Sequence, residues 1–488
     1  MYHGIILSGS RNEMAGRNIA GFRLRTAAEK FGYNILVIDS ATAMTSMELE
    51  SLLKNVITEK TLMLGISTVW LDNLNKNSIE WVTDDTIKKI KSKYTNLKIV
   101  AGGSSPGLRL SGAKHVYAAC DWFMTGFSDD SFPRLLRLLD GHTDHGLKYM
   151  LDTYNKKVVD SNSFHQISHP DEIETVLKLD DNFSLYQPIP LEVSRGCIFR
   201  CAFCSHPFQG KKDFDSYIRT PENLASELRR NYELFGTTRY SIMDDTFNDS
   251  VKNLDRLERA IELAKLPTFE FQAYIKPELL VTKPQMIDQL VRIGLRGGFC
   301  GIESFNNKAR KVIGKGTDIK KVLDALYKLC EVGPNVKLHG SVITGLPGDT
   351  IEDMLHWQEF FIKNQPVLFK SWIFQALGIF LNSKLEGESS IEKDPEKYGY
   401  TITRKVPNEF ATWRNEHMTS VEASRLTRTL WDNSCQVMTP GGWHLSSAWN
   451  LGLSENDIST KSLKELGLDQ RGRDLVRQRA LSTLSKFT

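Results

Sequence analysis

Between Ser194 and Cys204 the chain reads Ser-Arg-Gly-Cys-Ile-Phe-Arg-Cys-Ala-Phe-Cys, and its three cysteines, Cys197, Cys201 and Cys204, constrain the architecture more than any other stretch. Thiols set in a C-x3-C-x2-C spacing act together only where a loop gathers them. Gly196 before the run, and Pro207 and Gly210 after it, favour such a loop. The same spacing also falls on one face of a helix, where buried cysteines are inert. Three thiolates can hold three irons of a [4Fe–4S] cluster and leave the fourth iron open to a substrate or cosubstrate. A closed zinc site needs four ligands, usually from paired C-x2-C knuckles; His206 is the one nearby fourth ligand and no second knuckle follows.

The rest of the composition narrows the setting. Seven cysteines scattered over 488 residues are too few for a disulfide framework. A clustered triplet implies a reducing, cytoplasmic compartment. The net charge of +3 gives no indication of nucleic acid. Gly4-Ile5-Ile6-Leu7 is a short apolar run without a basic segment before it, so no signal peptide is expected. The apolar stretch around Leu62 to Leu71 is too short to span a membrane.

Short apolar runs alternate with helical patterns in the first 140 residues. Strands are expected at Gly4–Leu7, Tyr33–Ile38, Leu62–Ser67, Leu97–Ala101 and Trp122–Thr125. Helices are expected at Ile19–Phe31, after the capping box Thr45-Ser46-Met47-Glu48, at Thr86–Tyr94 and at Phe132–Leu139. This alternation predicts a doubly wound α/β domain with a parallel sheet, whose ligand sits outside the strands' carboxyl ends. Ser8-Gly9-Ser10, Ser67-Thr68, Gly102-Gly103-Ser104-Ser105 and Gly126 fall at those ends. Residues 141–187 are polar and aperiodic and read as a connecting segment.

The alternation resumes over 188–385, with strands expected at Leu191–Val193, Arg239–Met243, Thr268–Tyr274, Gly298–Ile302, Lys337–Thr344 and Ser371–Leu381. Six β/α units predict a partial barrel, with the chemistry at the strands' carboxyl ends. There lie Asp244-Asp245-Thr246-Phe247, Lys276, Glu303-Ser304 and Gly345-Leu346-Pro347-Gly348-Asp349. Asp244 and Asp245 also suit a helix N-cap, and the Pro347-Gly348 turn suits a tight strand-to-helix connection.

The cysteine spacing with Phe203 before the last thiol, followed in order by Asp244-Asp245-Thr246-Phe247, Gly301-Ile302-Glu303-Ser304, Lys315-Gly316 and Gly345-Leu346-Pro347-Gly348-Asp349, resembles the radical S-adenosylmethionine (SAM) enzymes. The N-terminal pattern, with Gly65-Ile66-Ser67-Thr68 and Val100-Ala101-Gly102-Gly103, resembles the cobalamin-binding domain of one class of that superfamily. The resemblance implies a Rossmann-like, B12-binding-type domain, a radical SAM partial barrel and a mostly helical C-terminal region from 386 to 488. It implies that Cys197, Cys201 and Cys204 hold a [4Fe–4S] cluster whose open iron chelates SAM, so that one electron cleaves SAM to a 5′-deoxyadenosyl radical. An electron donor such as flavodoxin or ferredoxin is then a partner. By the same resemblance Phe203 meets adenine through its backbone, and Asp244 or Asp245 lies near the SAM amino group. Lys276, where many relatives carry Arg, pairs with the SAM carboxylate; Glu303 meets the ribose hydroxyls; Val342 and Ile343 run along the adenine. Cobalamin contacts are expected at Ser67, Thr68, Gly102 and Gly103. The cobalt-ligating D-x-H-x-x-G motif is absent, the region reading Ser10-Arg11-Asn12-Glu13-Met14-Ala15-Gly16. Cobalamin without a protein ligand, or a degenerate domain that lost it, both remain open.

Over 386–488, Thr419-Ser420-Val421-Glu422 opens a helix to about Cys435, itself either a second thiol or an inert residue. Trp413, Trp431, Trp443 and Trp449 suit a substrate cavity or core packing. The basic run from Arg471 to Lys486 suits a solvated helix face or an acidic partner. The leading function is cobalamin-dependent methylation or other modification of an unactivated carbon. A cobalamin-independent rearrangement, cyclisation or epimerisation is the alternative. Methylthio transfer would bring three further upstream cysteines and a C-terminal RNA-binding barrel, neither of which the sequence contains. A non-catalytic metal-binding module would leave Asp244, Glu303 and the Gly345 turn without purpose. The substrate is not written in the sequence.

Overall fold

The computed structural model describes residues 1–9, 16–67, 84–103, 120–147, 158–161, 170–204, 217–363, 368–381, 389–405 and 410–487. Contacts divide the chain into two units: Met1–Ser184 with Asp469–Thr488, and Leu185–Leu468.

In the first unit β1 (Gly4–Leu7), β2 (Ile35–Ile38), β3 (Met63–Ser67), β4 (Lys98–Gly102), β5 (Trp122–Thr125) and β6 (Val158–Asp160) form one sheet in the order β2-β1-β3-β4-β5-β6. Every pairing is parallel. The continuous apolar runs follow from burial on both faces. Ile5, Leu7, Leu64, Ile66 and Ile99 enter one core cluster, while Ile6, Met63 and Val100 enter another. Asn18 and the reciprocal Thr45–Glu48 box cap the helices Ile19–Glu29 and Ser46–Val56. The order reverses direction between β1 and β3, and in open α/β sheets the ligand crevice opens at that point.

Two segments differ from the sequence reading. β6 lies within the stretch that reads as a connection, because three residues are too few to show a period. The final helix, Leu468–Phe487, lays Val476, Ala480 and Leu484 into the core cluster of Ile5 and Leu7. Arg477 clamps it by donating to both Glu48 carboxylate oxygens, at 2.6 and 2.7 Å, and to the Ala43 carbonyl at 2.8 Å. Lys486 donates to the Asp180 carbonyl at 2.9 Å. Arg479 is buried, and burial beside Arg17 lowers its pKa to about 9. These residues of the basic run are thus tied into the unit's own fold.

In the second unit β7 (Ile189–Leu191), β8 (Arg239–Ile242), β9 (Glu270–Ile275), β10 (Leu295–Glu303), β11 (Lys337–Thr344) and β12 (Phe369–Ala376) pair in sequential order. All are parallel, with helices between them. Sequential strands with same-handed crossovers put the helices on one side and leave an inner face. Register aligns Tyr274, Phe299, His339 and Ser371 across one face. The helix Trp443–Asn450 packs on it: Trp443 lies 5.4 Å from the Tyr274 ring, and Ser446 bonds Ser241 at 2.9 Å. Gly442, at φ +49, fits tightly there, since a Cβ would meet the Cβ of His339 at 2.6 Å. Trp413 sits in a hairpin of Thr401–Arg404 with Thr412–Arg414 that the sequence did not suggest. Trp413 is a buried core residue and Trp431 is exposed, whereas Trp443 and Trp449 both lie on the helix that packs on the inner face, Trp449 against Arg239.

Candidate active site

The cysteine loop leaves β7 and is pinned from below. Asp244, at the end of β8, accepts from Val193 N at 2.8 Å, Ser194 N at 2.9 Å and Ser194 Oγ at 2.6 Å. It is 1% exposed, and burial pushes its pKa up to about 8 against the pull of those donors. Arg195 N and Arg219 N bond the carbonyls of Tyr217 and Val193, each at 3.1 Å, which closes the loop's base. Gly196 then turns the chain at φ +102, a left-handed conformation that glycine adopts without strain. Cys197, Cys201 and Cys204 follow, all partly buried and none in a disulfide. Cys197 Sγ lies 3.5 Å from Thr246 Oγ1. Burial raises the Cys197 thiol pKa, so its thiolate needs a cation beside it.

Among the described residues no three His, Cys, Asp or Glu side chains are gathered closely enough to hold one metal ion. That leaves room for a cluster, whose irons stand at separate corners and take thiolates from farther apart. A soft, all-sulfur donor set on a partly open loop suits iron–sulfur chemistry.

Lys276, just beyond β9, points its ammonium at this loop. Nζ lies 3.9 Å from Cys201 Sγ and 4.3 Å from the Phe199 ring centre. Asn248 fixes the lysine backbone from both sides, its Oδ1 accepting from Lys276 N at 2.7 Å and its Nδ2 donating to Lys276 O at 3.1 Å. Beside Lys276 runs a buried ionic chain. Arg310 Nη2 bonds Glu278 Oε1 at 2.6 Å, Lys315 Nζ stands 3.5 Å from Glu278, and 3.6 Å from Glu303. Lys315 also donates to the Gly301 carbonyl at 2.6 Å. Burial raises the Glu303 pKa, opposed by Lys315. Burial pushes Glu278 the same way, but Lys315, Lys276 and Arg310 together hold it low.

Glu303 ends β10 at φ +63, where the register with β11 slips between Gly301 and Glu303. A non-glycine residue in that region is strained by roughly 1–3 kcal/mol and marks a place where the side chain must be re-aimed. Both oxygens of Asp244 serve the loop, whereas Asp245 is exposed. Phe203 packs with Ile343 in one cluster. Val342 points to the other face of β11, among Phe361, Trp372 and Phe374, so it does not share a surface with Ile343. The carbonyl of Gly345 accepts from Tyr400 Oη at 2.8 Å and Asn415 Nδ2 at 3.1 Å. Glu278, Arg310, Asn248, Tyr400 and Asn415 were not singled out in the sequence; their roles arise from contacts between distant segments that no local motif signals.

In the first unit, Ser67 and Gly102 are register partners at the carboxyl ends of β3 and β4, and Gly103 follows at φ +134. Among the described residues, a Cβ on Gly102 would meet Met124, the nearest atom at 3.4 Å. Thr68, Ser10 to Ala15, Ser104 and Ser105 lie outside the described residues, as do His206, Pro207 and Gly210.

Residues 191–361 match the Radical SAM superfamily. The chain carries a radical SAM domain. Such a domain implies a [4Fe–4S] cluster and SAM as cofactors, and it makes the protein an enzyme. Over 337 residues it is 22% identical to a tRNA-2-methylthio-N(6)-dimethylallyladenosine synthase of Buchnera aphidicola subsp. Cinara cedri, covering 67% of this chain and 72% of that one. Over 278 residues it is 25% identical to the ribosomal protein uS12 methylthiotransferase RimO of Thermotoga petrophila, covering 53% of this chain and 58% of that one. The chain thus spans little more than half of the second relative's length. The fold is similar to TsrM of Kitasatospora setae, a radical SAM methyltransferase solved with cobalamin and a [4Fe–4S] cluster, at TM-score 0.63 and 15% identity over 99% of this chain and 100% of that one. No helix among the described residues is long and apolar enough to cross a membrane.

Proposed function

We propose that the protein is a cytoplasmic, cobalamin-dependent radical SAM enzyme that transfers a methyl group to, or otherwise modifies, an unactivated carbon of a substrate still to be found. The observation that carries the reading is the placement of Lys276 Nζ 3.9 Å from Cys201 Sγ, joined through Glu278 and Lys315 to Glu303 at the carboxyl end of the neighbouring strand. When bound, the cluster and SAM supply a carbon-centred radical that abstracts hydrogen from an unactivated position. The chain's own residues bind and orient. Cys197, Cys201 and Cys204 hold the cluster, with Asp244 fixing their loop. The Lys276 ammonium offers a point charge to a carboxylate. The Glu303 carboxylate accepts from a diol, and its strained backbone aims it. Asp245 offers an acceptor to an ammonium group. Ile343 and Phe203 supply an apolar wall for a flat base.

The cobalamin part of the reading is supported by the sheet order, the glycines Gly102 and Gly103 at the carboxyl end of β4, and the likeness to TsrM. A flavodoxin or ferredoxin would deliver the electron. Methylthio transfer is the second reading, favoured by the names of the sequence relatives. Against it stands the single upstream cysteine, Cys120, which is buried at 0% exposure.

Anaerobic reconstitution is expected to yield about four irons and four sulfides per chain, lost when the three cysteines become alanine. With dithionite the holoprotein should convert SAM to 5′-deoxyadenosine. Hydroxocobalamin should be retained, and Gly102→Val should abolish its uptake without affecting iron content. Failure of the intact holoprotein to cleave SAM refutes the radical reading. Failure to retain any corrinoid refutes the cobalamin part alone.

A further inference from the structure

Away from the cysteine loop, the turn after β11 and the helix Ile351–Lys363 enclose a cavity of about 180 Å³. Phe305, Asn306, Asp349, Asp353, Met354 and Trp357 line it. Phe305 and Trp357 stack with ring centres 4.8 Å apart, which makes one wall aromatic. Asp349 is 1% exposed; its Oδ1 accepts from Ser304 Oγ at 2.6 Å, and its Oδ2 has no hydrogen-bond partner. A buried carboxylate oxygen without a donor is costly, and natural sites rarely leave one idle.

The other polar groups of the wall do not relieve it. Asn306 is held by the fold: its Oδ1 caps Lys308 N at 2.9 Å and its Nδ2 donates to Gly348 O at 2.8 Å, and it carries no charge. Asp353 adds a second carboxylate on the exposed side. The charged groups that line the cavity are therefore both carboxylates, and what they lack is a cation that donates hydrogen bonds. The rings and the thioether decide which kind. Magnesium or calcium takes oxygen on all sides, whereas a guanidinium or alkylammonium donates on one side and lies against aromatic faces on the other.

We infer that this cavity is a binding site for a small organic monocation, an alkylammonium or guanidinium, held by Asp349 and Asp353 against Phe305 and Trp357. Burial, and then the Asp353 charge, push the Asp349 pKa up to about 7, as expected of a carboxylate whose counter-charge is missing. The site is distinct from the cysteine loop. It touches that machinery at one point, because Ser304, which holds Asp349, follows Glu303 in the chain.

The test is titration of the anaerobically reconstituted full-length protein with methylguanidinium chloride at constant ionic strength. The readout is the tryptophan fluorescence that distinguishes wild type from Trp357→Phe. A saturable change in the millimolar range is expected. Asp349→Asn keeps the acceptor for Ser304, so it should fold, yet weaken binding about tenfold by removing a charge-assisted bond. Asp353→Asn, on the surface, should weaken it about threefold. No saturable change, equal affinity in Asp349→Asn, or saturation of the same signal by magnesium or potassium chloride at equal or lower concentration would each overturn the assignment.

Discussion

Asp244 separates two readings of the site, and replacing it with alanine tests them. If the carboxylate is the base of the cysteine loop, its removal orphans Val193 N, Ser194 N and Ser194 Oγ, which now donate at 2.6 to 2.9 Å. The hydroxyl can turn to another acceptor; the two buried amides cannot. At about 1–3 kcal/mol per unsatisfied buried donor, the two amides alone make the cost roughly 2–6 kcal/mol. That is a large share of the stability of an ordinary domain, about 5–15 kcal/mol. Asp244→Asn keeps one acceptor but turns an amide N–H₂ toward a donor, and it should lose about half as much. Anaerobic urea unfolding measures the loss directly. Iron per chain measures whether the loop still gathers its thiols, and both should fall together. Asp245→Ala, next door and exposed, should change stability by less than about 0.5 kcal/mol. The reasoning fails if Asp244→Ala keeps its full iron content and its stability and loses only SAM affinity, for then the carboxylate faces the ligand.

Two further outcomes follow from the same contacts. Glu303→Gln keeps the residue's size and its place in the bulge but weakens an acceptor for two hydroxyls. SAM binding by equilibrium dialysis should fall by about 1–3 kcal/mol with iron content unchanged, and an unaltered Kd would remove Glu303 from the ribose site. Arg477 lowers the Glu48 pKa to about 2, below its value in an unfolded chain. The stabilisation is therefore full above the unfolded pKa and is lost as pH falls from about 5 toward 2. The Arg477 side chain is 39% exposed, so solvent screening reduces the contribution to about 1 kcal/mol. Arg477→Ala should cost that much near neutral pH and flatten the acid limb of an unfolding-versus-pH curve; a limb of unchanged slope would place the carboxylate's stabilisation elsewhere.

The strands were legible where apolar and β-branched residues cluster between turn signals. Gly4–Leu7, Trp122–Thr125 and Lys337–Thr344 fall where the sequence put them. A pair of glycines hid one strand's start. β10 begins at Leu295, three residues before its expected start, because Arg296-Gly297-Gly298 reads as a turn. Gly297 is there to admit a neighbour: a Cβ would meet that of Gln272 at 2.9 Å and Leu445 at 3.2 Å. The segments least legible were those whose partners lie hundreds of residues away. The helix Leu468–Phe487 has an apolar stripe that nothing local covers. Its partners, Ile5, Leu7 and Leu49, come from the opposite end of the chain.

The site divides in the same way. Its sulfur ligands are contiguous and speak for themselves, but its charges are contributed singly by separate strands. Asp244 and Asp245 look alike in sequence, yet one is sealed under the loop and the other opens to solvent. Lys276, Lys315 and Arg310 surround Glu278 and Glu303, so three basic side chains stand against two acidic ones. The basket therefore keeps an excess positive charge, and Lys276 brings it to the thiol loop. Three thiolates and a carboxylate-bearing cosubstrate need such an excess in a place where water is scarce. Glu278 makes it tolerable: without that carboxylate Arg310 and Lys315 would repel each other unscreened, and Lys315 would lose the partner that, with Glu303, raises its pKa despite burial. The residue that sequence reading passed over, Glu278, is thus the one that joins Lys276, Arg310 and Lys315 into a single ionic chain.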